Sequence, residues 1–264
     1  MPWTVALGQM DVTPGDPARN RAVVADLARE AARGGAEVLL VPELWASGYV
    51  LDRAADFALS LEESVADLAQ IATSAGIGLY GSTLVRRADG GIGNTAVLVD
   101  RDGRHLATYS KVHLFGLMDE PRYLAAGTAP TLAETPWGKT GLAICYDLRF
   151  PELFRTYAFA GAEVVLLVAQ WPMPRLAHWQ TLLRARAIEN QAFVIACNRV
   201  GSSGGNTFFG HSTVIDPWGE ILFEADDRPG LHRVEIDPAR LAAARKRLPV
   251  LGDRRPAAYH FPGE

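Results

Sequence analysis

Residues Gly141–Glu152 read G-L-A-I-C-Y-D-L-R-F-P-E. The apolar run from Leu142 to Ile144 ends at Cys145. Pro151 then stands where a helix can begin, because its ring presets the first-turn φ and its missing N–H is not needed there. A strand that stops at a thiol and gives way to a helix within a few residues is a unit of α/β architecture. At such a turn the thiol lies at the sheet edge, near the positive end of a helix. Both features favour the nucleophilic thiolate. Position alone leaves a second reading equally open, since a free thiol is more commonly a buried structural residue.

Outward from this unit the alternation continues. A strand over Lys139–Cys145, a helix from Pro151 to Ala160, a strand over Glu163–Val168 and a helix over Leu176–Asn190 are predicted. Strands at Ala192–Asn198, His211–Asp216, Glu220–Glu224 and Leu231–Ile236 follow, with a turn at Pro217-Trp218-Gly219. The first half has the same rhythm. Trp3–Gln9 reads as a buried strand, and Asp16-Pro17 opens a helix that Gly34-Gly35 closes. Glu37–Pro42 reads as a strand and Leu61–Ala75 as an amphipathic helix. Strands dominate from Ile77 to Tyr109, broken at Asp89-Gly90-Gly91 and Asp102-Gly103. Hairpin strands thus end each half. Two related αβ halves with their sheets face to face and helices outside are expected, as one domain over residues 1–264.

The 264 residues are 48% hydrophobic and 21% charged, a globular composition. Lys and Arg number 26 against 30 Asp and Glu, a net charge of −4, so no nucleic-acid or anionic-membrane partner is expected. The apolar runs Val38–Val41 and Val164–Ala169 are strand-sized, far short of a membrane span. Met1–Met10 (M-P-W-T-V-A-L-G-Q-M) has no basic leader and no long apolar stretch, so a cytoplasmic protein is expected. With only two cysteines, Cys145 and Cys197, a disulfide framework and an all-thiolate zinc site are excluded. No H-E-x-x-H or clustered His/Asp set suggests a metal, and no cofactor is expected.

The two thiols differ in context. Cys197 lies inside V-I-A-C-N, within a strand, and reads as core. Cys145 ends a strand and needs a proton acceptor if it is a nucleophile. His113, His178 and His211 are possible partners of a cysteine–histidine pair. Glu43, in V-P-E-L-W, ends the strongest strand of the first half, where desolvation among Leu44 and Trp45 would suit a general base. Lys111, in Y-S-K-V-H-L-F, follows a strand that ends near Tyr109. Singly, each has a bland reading as a loop carboxylate or a surface lysine. Together they place a carboxylate, an ammonium and a thiol at strand termini.

These segments, P-E-L at Pro42–Leu44, K-V-H-L-F at Lys111–Phe115 and C-Y-D-L-R-F-P-E at Cys145–Glu152, resemble the three signatures of the nitrilase (carbon–nitrogen hydrolase) superfamily. Order and spacing agree, and the likeness runs from Ala6–Met10 to Asp216–Glu220. The resemblance implies a four-layer αββα sandwich and a homodimer formed through helices around the nucleophile. It implies that Glu43 takes the Cys145 proton, and that the thiol attacks an amide carbonyl. Lys111 and the backbone N–H of Tyr146 would hold the oxyanion, and Glu43 would return the proton to leaving ammonia. Water would then release the acyl group from a thioester. A further family glutamate matches Glu120, in M-D-E-P-R-Y.

Arg149 follows Cys145 by one helical turn, so both side chains point the same way if the turn is helical. Its guanidinium would then hold a substrate carboxylate; a structural pairing with Asp147 or Glu152 is the alternative. The stretch Trp171–Gly201 looks closest to the omega-amidase branch. That implies hydrolysis of the terminal amide of a small carboxylate-bearing substrate such as 2-oxoglutaramate. Hydrolysis of N-carbamoyl amines, deaminated glutathione or nitriles, and an inactive binding or scaffold role, stand as alternatives. Gly76–Gly81 (G-I-G-L-Y-G) matches a dinucleotide fingerprint by letter, yet it follows a helix and enters a strand, the reverse of what that motif requires. Arg245-Lys246-Arg247 reads as the solvated end of a helix, and Gly201–Asn206 as a flexible loop.

Overall fold

A computed structural model describes residues 1–258, so positions 259–264 of the expected domain lie outside the described residues. The first half runs β1 (Trp3–Gln9), α1 (Pro17–Arg33), β2 (Val38–Leu40), α2 (Ala54–Phe57) and α3 (Leu61–Ala75). Then come β3 (Gly78–Arg86), β4 (Ile92–Val99) and β5 (His105–Ser110). A short α4 (Glu120–Tyr123) leads to β6 (Leu132–Thr135), β7 (Gly138–Ile144), α5 (Pro151–Phe159), β8 (Val164–Ala169) and α6 (Leu176–Asn190). The chain continues through β9 (Phe193–Asn198), the hairpin β10 (Val200–Ser203) and β11 (Asn206–Phe209), and β12 (Thr213–Ile215). It ends with β13 (Ile221–Glu224), β14 (Gly230–Ile236) and α7 (Ala239–Arg247).

Two six-stranded sheets result, ordered β14-β1-β2-β3-β4-β5 and β13-β12-β9-β8-β7-β6. Each has a parallel core, β1-β2-β3 in one and β7-β8-β9 in the other, flanked by antiparallel strands. The repeat expected from the sequence is therefore present. Strand periodicity explains the layering. On β1, Val5 and Leu7 join a core that also holds Leu142 and Ile144 of the opposing sheet. Ala6, between them, packs with Val24, Ala28, Leu68 and Ile71 of α1 and α3. Helices α5 and α6 cover the second sheet, giving the αββα order. The Tyr80 hydroxyl crosses between sheets to the Ala143 carbonyl at 3.2 Å.

Local chemistry sets the helix ends. Asp16 caps α1 by accepting from the Arg19 N–H at 3.0 Å. Ser60 and Glu63 form a reciprocal capping box on α3. Gly76 ends α3 in the left-handed conformation at φ 72°. Gly78–Gly81 then lies inside β3, so the G-x-G-x-x-G letters span a helix end and a strand, as their order implied. Among the described residues no helix is long and apolar enough to cross a membrane.

Two expectations are corrected. The strand over Leu231–Ile236 does not finish the second half: β14 returns to the first sheet and pairs antiparallel with β1, from Trp3↔Ile236 to Gln9↔Gly230. It covers the open edge that β1 would otherwise present. Gly201–Asn206 is not a loop throughout: Gly201–Ser203 lie in β10 and Asn206 opens β11, with Ser203 opposite Asn206 and Gly204-Gly205 as the turn between them.

Candidate active site

In open parallel sheets, functional groups gather beyond the carboxyl ends of the strands. Here those ends belong to β2, β7 and β8. The chain leaves β2 through Glu43 and kinks at Leu44, a non-glycine residue at φ 45°. Ser82 fixes the kink, since its hydroxyl accepts from the Leu44 N–H at 2.9 Å and its carbonyl from the Trp45 N–H at 3.2 Å. Gly81 makes room for it: a Cβ there would lie 2.5 Å from Val41 Cγ2 and 2.8 Å from Trp45 Cδ1. Glu43 is thereby turned inward and fully buried.

Three donors meet the Glu43 carboxylate. Asn94 Nδ2 at 2.7 Å and Lys111 Nζ at 2.8 Å bond Oε1, and the Gln170 backbone N–H bonds Oε2 at 2.9 Å. Gln170, at the end of β8, also donates Nε2 to the Glu43 carbonyl at 2.6 Å, while the buried Arg199 holds its Oε1 at 2.8 Å. Lys111 follows β5, its own backbone fixed by the Asn94 carbonyl and by the Gly127 N–H. A Cβ at Gly127 would run into the Ser110 carbonyl, so only glycine lets this strap pass. The Lys111 ammonium bridges Glu43 and Glu120, the latter at 2.6 Å, with all three side chains fully buried. Burial opposes the ammonium charge, but Glu120 and Glu43 outweigh it and hold Lys111 well above the ordinary lysine range.

Glu120 opens α4 just after Asp119, another left-handed residue at φ 57°. It accepts from Lys111, from the Tyr49 hydroxyl at 2.6 Å and from the Phe115 N–H at 2.8 Å. Burial pushes Glu120 up; Lys111 pulls it down, Glu43 adds to the rise, and the net direction is up.

Cys145 itself sits at φ 47°, a strained position that occurs where surrounding structure over-determines the backbone. Burial raises its thiol well above the usual range. The Glu43 charge adds to this and Lys111 offsets part. The thiolate expected at a helix start is therefore corrected. The helix α5 begins only at Pro151, and the intervening Cys145–Arg149 turn is a 3-10 segment. Burial beside a carboxylate dominates, so the resting group is a thiol that needs a base. Tyr146 is in the first turn of that segment, where an N–H has no intrahelical acceptor.

Asp147 holds the turn from below. It accepts from the Ile144 N–H at 2.9 Å, the Tyr109 hydroxyl at 2.8 Å, the His113 N–H at 3.1 Å and the His113 ring at 2.8 Å. No acceptor is left over for Arg149. That guanidinium lies over Trp171 at 4.8 Å and Tyr146 at 5.9 Å, and Nη2 meets His178 Nδ1 at 3.2 Å. Neither Asp147 nor Glu152 pairs with it among the described residues, and it shares one cavity with Cys145.

The histidine partners do not materialise. His113 is bound to Asp147 and stacked on Phe150 at 3.6 Å, and His211 pairs with Glu224 at 2.7 Å. Cys197 is fully buried in β9, its thiol pushed up to about 12 by burial, as a core residue should be.

The cavity at Cys145 is small, about 10 Å³, and includes Phe115, Tyr146, Arg149, Trp171 and Arg175 in its wall. A broader depression of about 450 Å³ lies against Tyr49, Leu117, Asp119 and Phe208; its wall does not include Cys145. Asn94, Gln170, Tyr49 and Arg175 were not singled out by the sequence reading, and Asp147 entered it only as a candidate partner of Arg149. Gln170 carries the signal that marks Glu43 and Cys145, a polar residue closing an apolar strand.

Comparison with known proteins gives the chain's family. The family model described as carbon-nitrogen hydrolase matches residues 4–246. A 2-oxoglutaramate amidase of Bacillus subtilis (strain 168) is 40% identical over 260 residues, 98% of this chain and all of that protein. The crystal structure of a CN-hydrolase superfamily protein from Xanthomonas campestris, with an arsenic adduct in its active site, superposes with a TM-score of 0.90 at 30% identity, covering both chains in full. A mutant amidase from Nesterenkonia sp. AN1, showing covalent addition of the acetamide moiety of fluoroacetamide at its active site cysteine, gives 0.86 at 32% identity, covering 97% of this chain and 95% of that one. A match over nearly the whole length, in sequence and in fold, leaves one conclusion: the chain belongs to the carbon–nitrogen hydrolase family.

Proposed function

We propose that this carbon–nitrogen hydrolase is a cysteine-dependent amidase that cleaves the terminal amide of a small carboxylate-bearing substrate such as 2-oxoglutaramate. The observation that carries the reading is the buried meeting of Cys145 with Glu43 and Lys111, in which burial and the Glu43 charge push the thiol up and Glu43 and Lys111 are paired at 2.8 Å. Glu43 removes the S–H proton as sulfur bonds to the amide carbon. The carbonyl oxygen becomes an oxyanion, held by the Lys111 ammonium and the Tyr146 N–H. Collapse breaks the C–N bond, and Glu43 hands its proton to nitrogen so that ammonia leaves. Water then loses a proton to Glu43 as it attacks the thioester; the S–C bond breaks, a carboxylate departs and the thiol is restored.

Glu120 keeps Lys111 charged and aimed while that ammonium is shared with Glu43. Arg149 holds the substrate's own carboxylate. The relatives named for 2-oxoglutaramate amidase activity and for covalent chemistry at an active site cysteine support this reading. So do two unpaired cysteines, which suit a reducing cytoplasm. A homodimer through α5 and α6 fits the exposed apolar Phe159 and Ile188 on those helices. The test is ammonia release from 2-oxoglutaramate without added metal. Wild-type protein should turn over and Cys145→Ala should not; full activity in the alanine variant would refute the mechanism.

A further inference from the structure

The cavity beside Cys145 holds a second cation. Arg175 caps the N-terminus of α6, its carbonyl accepting from the Trp179 N–H at 3.1 Å and from Trp171 Nε1 at 3.2 Å. Its guanidinium lies over the Phe115 ring, 5.3 Å from the centroid, much as Arg149 lies over Trp171 at 4.8 Å. Phe115 in turn packs against Tyr146, with centroids 4.7 Å apart. The two arginines therefore rest on one aromatic lining. A guanidinium laid on a ring keeps the edge of its planar fork free, and that edge is what grips a carboxylate.

Elsewhere this chain pairs its buried arginines with carboxylates: Arg199 with Asp11, and Arg186 with Glu189. Among the described residues no carboxylate pairs with Arg149 or Arg175, although both line the same small cavity beside Cys145. Two like charges facing one small space repel each other unless an anion lies between them. The counter-charge must then arrive with the ligand.

We propose that Arg175 is a specificity-determining residue, and that with Arg149 it grips the carboxylate at the far end of a short ω-amide. This rests on the amidase reading above and narrows it. Arg149 reaches the carboxylate from the end of the nucleophile turn, Arg175 from the start of α6. Free dicarboxylates of similar length compete for the same pair.

Steady-state kinetics of Arg175→Gln with 2-oxoglutaramate and with butyramide test the proposal. The ratio of kcat/KM for the acidic over the neutral amide should fall by roughly 10- to 100-fold, the loss of one charge-assisted contact, carried by KM for the acidic amide. Arg175→Lys should recover part of it. An equal fall for both amides, or one carried by kcat, overturns the proposal. Calorimetric titration of glutarate into Cys145→Ala protein reads the pair without turnover. Adding Arg175→Gln should weaken that binding by about tenfold or more, and unaltered binding overturns the proposal. If wild-type protein releases ammonia from neither amide, the amidase reading falls, while the glutarate titration still decides the role of Arg175.

Discussion

A carboxylate beside a thiol has two opposed effects: it accepts the proton during reaction, and at rest its charge disfavours the thiolate. Glu43 does both to Cys145, after burial, while Lys111 pulls the other way. Removing the charge but keeping the shape separates these effects. In Glu43→Gln the amide nitrogen and oxygen cannot take the proton, so ammonia release should be lost. The repulsion also goes and the Lys111 attraction stays, so the thiol's titration should move down. The rate of iodoacetamide labelling at Cys145 should therefore rise at lower pH in the variant than in the wild type. Cys197, pushed up to about 12, should stay unlabelled in both folded proteins at pH 8. A labelling curve that shifts upward, or does not move, would contradict the assigned electrostatics. Glu43, Lys111 and Cys145 were legible in the sequence because each combines reactive chemistry with a strand end. Gln170 shares that position but has no acid–base chemistry, and Asn94 is hidden within a strand. Their roles depend on which strands lie side by side, which a linear pattern does not contain.

The turn from Cys145 to Arg149 is held by an element-level tie: Asp147 joins the end of β5 through Tyr109, the lysine strap through His113 and the end of β7 through Ile144. Oδ1 receives the two His113 donors, and Oδ2 receives Tyr109 and Ile144. In Asp147→Asn, whichever oxygen becomes NH2 sets donor against donor. The variant should lose about 2–3 kcal/mol of stability in urea denaturation, the cost of stranding buried hydrogen-bonding groups. Its kcat should fall more than its KM changes, because the thiol and Lys111 lose their common support. A stability change within about 0.5 kcal/mol would show that the tie is dispensable. At this scale the sequence was most readable where propensity and capping agree, as in α1 and α3. Short pieces such as α4, β6 and the β10–β11 hairpin escaped it. A single helical turn has almost no periodicity, and the glycines of Gly201–Asn206 signal a turn without saying that its flanks pair.

Across the whole molecule, the site is divided between the halves. Glu43, Asn94 and Lys111 come from the first sheet and its strand ends, Cys145 and Gln170 from the second, so the base and the nucleophile meet only while the sheets stay together. The two-halves pattern was visible in the order of elements. The return of β14 was not, because partner choice between distant strands is non-local. That return makes a separation of stability from catalysis possible. Ile236 on β14 is fully buried in the inter-sheet core and pairs with Trp3, whereas the site lies beyond β2, β7 and β8. Ile236→Ala removes buried methylenes and leaves a cavity, which should cost about 2–5 kcal/mol in urea denaturation. At a temperature well below the melting transition, kcat and KM should stay near wild-type values, since Glu43, Lys111 and Cys145 keep every contact described for them. Activity and tryptophan fluorescence should also be lost together in one urea transition, shifted to lower denaturant in the variant. A variant with normal stability would remove β14 from the core; one that loses activity before its fluorescence changes would mean that the halves part at the site before the fold gives way.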